Sequence, residues 1–391
     1  MSDLSNQKQH FVISISGTTL VEIAPFGTKI VTPNPLATNQ IYTLSRFAYI
    51  HTQSRQMVLE SPLAHCRVIL HDRRSIAILH ALSSPQTLTQ LSDQFADIPQ
   101  AIVTTLLSWL LGAKFLTISD KDGTQQEEPS LQLWEFHDLL FHARSRLGRH
   151  NYPYGKNNPH LGKIEPLPAA KPSNSLPTIP LYQPNIQVLI DRDLPFTQIM
   201  EQRRSHRQQG KQPITVEQLG EFLYRTARIR SIETNESVEY QFSDRPYPSG
   251  GACYELELYL AINACQGIEP GLYHYCPREH LLRQLSGFTA AVYQLSCQAA
   301  IESGLPQILI ILTARFPRVN WKYRSLAYAL ILKHVGVLYQ SMYLVATAME
   351  LAPCAIGGGN SDLFAQATGI NYLDETSIGE FILGSKLEIT S

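Results

Sequence analysis

The chain has almost no net charge. Its 32 Lys and Arg against 33 Asp and Glu leave −1 over 391 residues, which excludes a chain-wide electrostatic pull toward nucleic acid or an acidic membrane surface. Charged residues are scarce overall, 17% of the total, fewer than an average soluble domain carries, and this hints at apolar surface hidden at an interface. The six cysteines, at 66, 253, 265, 276, 297 and 354, include no Cys-x-x-Cys pair and no Cys/His cluster at zinc-ligand spacing. Met1 to Gln7 lacks the basic and apolar regions of a signal peptide. The longest apolar stretch, Leu326 to Met349, is broken by Lys333, His334, Gly336, Gln340 and Ser341, so no run reaches the roughly 18 residues of a membrane span. These absences together predict a cytoplasmic protein with reduced thiols.

What the chain does have is core-forming material, 44% apolar residues, over a length that suggests two or three domains. Eight of its 24 prolines fall between 151 and 184, and proline fixes φ and removes a donor, so this stretch is expected to be extended and irregular. Ahead of it, Phe11 to Ile15 and Val21 to Ile23 read as strands around a Gly17-Thr18-Thr19 turn. Arg74 to Leu82 reads as a helix, a second follows Thr87, and a third runs from Pro99 to Leu111 with Gly112 as its cap. Phe115 to Ile118 reads as a strand entering a hairpin at Asp122-Gly123. Helix, helix, strand, hairpin is the order of a winged helix. Ala101 to Leu111 carries no Arg or Lys to meet phosphates, so peptide binding along a strand edge suits this region better than DNA.

Beyond the prolines, Val216 to Thr226 reads as a helix, Gly271 to Tyr275 and Gln307 to Thr313 as strands, and Leu256 to Ala264 as a central apolar helix. Leu326 to Leu351 is a further helix, apolar on nearly every side, and must be enclosed by one core or by two subunits.

Four clusters could carry chemistry. Arg203, Arg204, Ser205 and Arg207 put guanidinium forks and a hydroxyl together, donors that match phosphate oxygens or simply form a solvated basic turn. Ser249-Gly250-Gly251-Ala252 lets backbone approach a flat ligand, or serves as an ordinary junction. Gly357-Gly358-Gly359 following the long helix exceeds what one cap needs. Lys322-Tyr323 beside Trp321 offers an amine whose pKa burial would lower, with a phenol as partner.

In this order, together with Gly271-Leu272-Tyr273-His274-Tyr275 and with Trp134 to Asp138 and Phe141 to Arg146 upstream, the motifs resemble the SagB-type flavoproteins of the nitroreductase fold. With its N-terminal region the chain resembles the thiazoline oxidases of cyanobactin biosynthesis. The resemblance covers about 131–385 and implies an α+β fold: a winged-helix, peptide-recognition-like region over 1–130, a helix and proline-rich linker over 131–190, and an FMN oxidoreductase domain over 191–391. It implies oxidation of azolines to azoles in a ribosomally made precursor peptide, by a homodimer with FMN at its interface, with a heterocyclase as a further partner and neither nucleic acid nor membrane involved. Arg203, Arg204, Ser205 and Arg207 would hold the FMN phosphate and ribityl chain. Ser249 and Gly250 would approach the ring from the partner subunit, Gly357 and Gly358 would lie near its reactive edge, and Lys322 and Tyr323 would be catalytic. Two positions depart from the pattern: Ser341 stands where asparagine is expected, and Gly359 where an aromatic is common. The competing readings are a nicotinamide-dependent reductase of small molecules and a non-catalytic peptide-binding scaffold.

Overall fold

Ser16 and Gly17, both at positive φ, turn the chain between Phe11–Ile15 (β1) and Thr18–Pro25 (β2), where the glycine signal placed a turn. The computed structural model describes residues 10–37, 39–120, 124, 127–235, 237, 239–299 and 304–387. It divides into two units, Met1–Tyr154 and Gly155–Ser391, and the division falls inside the 131–190 segment.

In the first unit, Ile41–Leu44 (β3), Tyr49–Gln53 (β4), Gln56–Glu60 (β5) and Cys66–Leu70 (β6) follow β2, and five strands form an antiparallel sheet in the order β1-β2-β6-β5-β4. Next come Arg73–Ala81 (α1), Gln86–Thr87 (β7), Leu88–Gln94 (α2), Gln100–Gly112 (α3) and Leu116–Ser119 (β8). The first two helix starts have a local reason. Asp72 accepts from the Arg74 amide at α1, and Thr87 and Gln90 form a reciprocal capping box at α2. Val103, Leu106, Leu107 and Leu110 bury one stripe of α3 in a core shared with Ile23, Leu59 and Val68.

The expected helix, helix, strand order is present, whereas the Asp122-Gly123 hairpin lies outside the described residues. β8 pairs instead with β3, in a small sheet of order β7-β3-β8. Gly112 is not the helix cap. The left-handed residue is Lys114, at φ 64, and Gly112 is needed because a Cβ there would collide with the Thr32 carbonyl.

Pro129–Gln132 (α4) and Phe136–Arg144 (α5) complete the unit. Arg144 donates to the Glu60 carboxylate at 3.0 Å, while the Tyr49 and Tyr152 hydroxyls donate to it at 2.7 and 2.8 Å. Burial alone would raise the Glu60 pKa, but these donors outweigh it and hold the group below its usual value. Burial also pushes the Tyr49 phenol up to about 12.

In the second unit, the proline-rich stretch contains only two short strands among its described residues, Gly155–Lys156 (β9) and Thr178–Pro180 (β10). Ile186–Arg192 (α6), Phe196–Gln202 (α7), Val216–Ala227 (α8), Ser231–Asn235 (β11), Tyr240–Asp244 (β12), Leu256–Ile262 (β13), Gly271–Cys276 (β14), Leu281–Gly287 (β15) and Ala290–Ala299 (α9) follow. The chain then runs through Ile308–Arg315 (β16), Phe316–Asn320 (α10), Tyr323–Arg324 (β17), Ala327–Ala348 (α11), Leu351–Ile356 (β18), Ser361–Thr368 (α12) and Glu375–Ser385 (β19).

Seven strands form one antiparallel sheet, β10-β15-β14-β13-β16-β19-β18. Leu256–Ile262 is a central strand and not the helix its apolarity suggested; all seven residues are buried because both faces of the sheet are covered. On one face Leu258, Leu260, Ile310 and Leu312 join Ile331, Leu338 and Met342 of α11. On the other, Tyr259, Leu309, Ile311 and Ile382 pack with Val292, Leu295 and Phe364.

By length and hydropathy α11 could cross a bilayer, although it contains the polar breaks noted above. Its buried stripe, Ile331, Val335, Leu338, Met342 and Ala346, is part of the main core. At 22 residues it is about 33 Å long. Tyr328 and Leu332, off that stripe, remain exposed.

Candidate functional site

Lys322 reaches its place through a short, well-tied connection. After β16 the chain makes α10, and the Trp321 and Lys322 amides donate to the Pro317 and Val319 carbonyls. The Trp321 indole donates to the Ile164 carbonyl at 2.7 Å, and the amides of Asn157 and Asn158 both donate to the Lys322 carbonyl at 3.2 Å. β17 then pairs with β9, so Lys322-Tyr323 precedes the long helix by way of a bridge and not as its first turn.

The Lys322 side chain is buried, the residue being 3% exposed. Its Nζ lies 4.7 and 4.5 Å from the ring centres of Tyr240 and Phe242 and donates to the Gly251 carbonyl at 2.6 Å. Burial holds the amine below its ordinary value of 10.5, the nearby cations Lys156 and Arg318 push the same way, and Cys253 opposes them. Burial also raises the Tyr323 phenol, which keeps it a proton donor.

The glycine turn occupies the other side of this amine. Gly250–Ala252 is a single 3-10 turn in which Gly251 has φ 61, a conformation that favours glycine. A Cβ there would also strike the Tyr323 hydroxyl and crowd the Lys322 amine. The fold therefore brings Ser249, Gly250, Lys322 and Tyr323 into one place.

Three residues that sequence reasoning passed over hold the same turn. His334 of α11 accepts from the Gly250 amide through Nε2 at 2.7 Å and donates from Nδ1 to Glu255 at 2.7 Å. Arg318, with no exposed surface, donates to the carbonyls of Cys253, Leu167 and Gln241. The signal available for His334 was its position inside an otherwise apolar helix, where a buried imidazole needs partners.

The arginine cluster meets α11 at a different point. Arg203, Arg204, Ser205 and Arg207 follow α7 in an extended segment, where the Ser205 hydroxyl meets the Tyr343 hydroxyl at 2.9 Å and the Arg203 guanidinium lies 5.4 Å from the Tyr343 ring centre. Tyr343 also accepts from the Ala355 amide at 2.7 Å, and the His206 amide donates to Pro353 at 2.8 Å. Arg204 folds back onto the carbonyls of Glu201 and Arg203, capping α7. Burial and the nearby Lys386 ammonium lower the His206 pKa. Tyr343 is nine residues past His334, about 13 Å along the helix, so α11 joins the arginine segment to the glycine turn. Ser341 donates within the helix to the Val337 carbonyl at 3.1 Å.

Gly357-Gly358-Gly359 follows strand β18 and not the long helix. Gly357 and Gly358 border open space, whereas a Cβ on Gly359 would collide with the Glu380 carboxylate. Burial raises the Glu380 pKa to about 7, opposed by a hydrogen bond from Ser377.

Two family models match the chain. The nitroreductase family matches residues 200–384, and the cyanobactin oxidase ThcOx model matches residues 42–151. The Methanocaldococcus jannaschii protein MJ1384, named as a nitroreductase, is 24% identical over 181 residues, 46% of this chain and 84% of that protein. The microcin B17-processing protein McbC of Escherichia coli is 30% identical over 145 residues, 36% of this chain, which spans only 52% of that relative's length. A solved structure, the E. coli microcin synthetase McbBCD complex with truncated pro-MccB17 bound, aligns at 20% identity and a TM-score of 0.38, covering 45% of this chain and 65% of that one. The class is thereby set: this is a nitroreductase-fold oxidoreductase. Within that class the chain is similar to the SagB-type enzymes, since one chain carries a match to the nitroreductase family and a match to the cyanobactin oxidase model.

Proposed function

We propose that the protein is an FMN-dependent azoline oxidase, converting thiazoline or oxazoline rings of a ribosomally made peptide to thiazoles or oxazoles. The observation that carries this reading is the Lys322 amine, buried and depressed in pKa, held on the glycine turn beside the Tyr323 hydroxyl. Aromatising the ring removes a proton from its α carbon and a hydride from its β carbon. Neutral Lys322 takes the proton at Nζ, and Tyr323, held protonated, donates a hydrogen bond to the substrate. Bound FMN supplies the hydride acceptor.

The donors present fit that cofactor. Arg203, Ser205 and Arg207 suit its phosphate and ribityl chain, Arg203 and Ser205 being oriented by Tyr343. The open space at Gly357 and Gly358 suits a flat ring. Arg204 would serve by capping α7 at the segment's entrance. Arg203→Ala or Arg207→Ala should release FMN, since each removes a charge-assisted contact of about 1.5–3 kcal/mol; full flavin absorbance in both purified variants would refute the assignment.

A homodimer completes the reading. The exposed Tyr328 and Leu332 on α11, with Phe196 and Met200 on α7, suit a second copy, and light scattering should give twice the chain mass. The first unit would contact the precursor peptide or the heterocyclase, with β8 as the end strand of its small sheet. The deciding experiment mixes the purified protein with an azoline peptide in air. Loss of two hydrogens per ring by mass spectrometry is expected; turnover only of small molecules with a nicotinamide donor would favour a reductase.

A further inference from the structure

Glu255 and His334 hold the glycine turn, yet the catalytic assignment leaves them without a task. Glu255 has no exposed surface and His334 is 5% exposed, so neither is available to solvent or to a peptide. Their hydrogen bonds are specific. A backbone N–H can only donate, so the 2.7 Å contact from Gly250 leaves Nε2 without a hydrogen and places the ring hydrogen on Nδ1, where it is donated to Glu255 Oε1 at 2.7 Å. The second carboxylate oxygen accepts from Ser249 Oγ at 3.5 Å, and that hydroxyl in turn accepts from the Tyr254 amide at 3.0 Å. Glu255 is itself anchored, because its carbonyl accepts from the Arg315 amide of β16 at 3.0 Å. A relay from the central sheet thus ends on the peptide N–H of Gly250. One residue further, the Gly251 carbonyl receives the Lys322 amine at 2.6 Å.

We propose that Glu255 and His334 are positioning residues for Lys322: they pin the Gly250–Gly251 turn from the helix side, so that the turn covers the amine and orients it. This inference rests on the reading of Lys322 as the base. The pair never touches the reacting atoms. It acts because the turn has freedom to lose, with two adjacent glycines and Gly251 at positive φ, and because a displacement of about 1 Å at a reacting group can cost on the order of 10²-fold in rate. The charged and titratable groups facing the amine are Cys253, Tyr240, Tyr323, Arg318 and Lys156. None of these is held by His334 directly, so a change in Lys322 after His334 substitution reports on the turn.

The test is His334→Leu, which keeps bulk and removes both bonds, compared with His334→Gln, whose amide can accept from Gly250 and donate to Glu255. Two readouts are taken: the pH profile of azoline turnover, and the pH dependence of Lys322 acylation by a small amine-reactive reagent, followed by peptide mapping. In the wild type, acylation should report an amine titrating below 10.5. In His334→Leu the turn loosens and water reaches the amine, so both profiles should move to higher pH. The rate near neutrality should fall by on the order of 10²-fold, mainly in kcat, and His334→Gln should restore most of it. Unchanged profiles in His334→Leu, or profiles that move to lower pH, would overturn the proposal. If His334→Leu does not fold, His334→Asn, too short to bridge both partners, is read by the same criteria. Acylation needs no turnover, so absence of azoline oxidation in the wild type would sink the proposed function and leave this inference decided by labelling.

Discussion

Lys322→Ala should abolish most azole formation while the protein stays yellow. General-base catalysis typically contributes about 10²–10⁴-fold, and a loss in that range is expected. Flavin content should be unchanged, because the arginine segment proposed to hold the FMN phosphate meets α11 at Tyr343, away from the amine. Lys322→Met separates chemistry from packing, since an unbranched stem still fills the buried space while the amine that faces the Tyr240 and Phe242 rings is deleted. An active, yellow Lys322→Met enzyme would end the claim. Tyr323→Phe removes one hydroxyl; a smaller loss marks it as a supporting donor, and an equal loss marks a unit. The pH dependence carries a definite sign. Only the neutral amine accepts a proton, so turnover should rise with pH and level off below lysine's ordinary 10.5, because burial depresses the group.

Glu60→Leu should be the most damaging single change in the first unit. Glu60 is wholly buried and is met by Arg144, Tyr49 and Tyr152. Removing it leaves a guanidinium only 15% exposed without its counter-charge, a loss of about 3–5 kcal/mol for a broken buried pair. In calorimetry this corresponds to a fall of about 6–20 °C in that unit's melting temperature; a fall of only a degree or two would show that Arg144 finds water or another acceptor. In the intact protein the pKa of Glu60 is lowered on folding, so its contribution is fully present above the ordinary value of 4.5 and is lost as pH falls through the folded value. Arg144 belongs to the upstream hallmark Phe141 to Arg146, and its structural task here is to anchor α5 to the five-stranded sheet.

Local signals made several elements legible. Thr215 and Gln218 form the capping box that starts the helix at Val216, and the strand expected over Gln307 to Thr313 is the buried strand Ile308–Arg315. Leu256–Ile262 was misread because a strand covered on both faces has no alternation to betray it. β18 went unseen since Pro353 argues against a strand, yet β18 is an end strand of the sheet, where proline is tolerated. Motif order marked Ser249 and Gly250 and the Lys322-Tyr323 pair separately, and the fold sets the glycine turn against the Lys322 amine within one subunit. Motif order could not reveal Glu255 or His334, whose partners are distant in sequence and which look like a strand carboxylate and an interruption in an apolar helix. Gly112 shows the same limit: its spacing fits a cap, while its reason is the carbonyl of Thr32, far earlier in the chain.

The collision between a Cβ at Gly359 and the Glu380 carboxylate couples these two positions. A side chain at 359 must push aside the end of the Glu380 side chain, a residue 6% exposed whose carboxyl pKa burial raises to about 7, so an aromatic there requires that carboxyl to swing to a new position. Shortening residue 380 first opens the room, and the two changes made together should cost less than the sum of each alone. Glycine at 359 and glutamate at 380 therefore act as a coupled pair, and any side chain introduced at 359 is met first by residue 380.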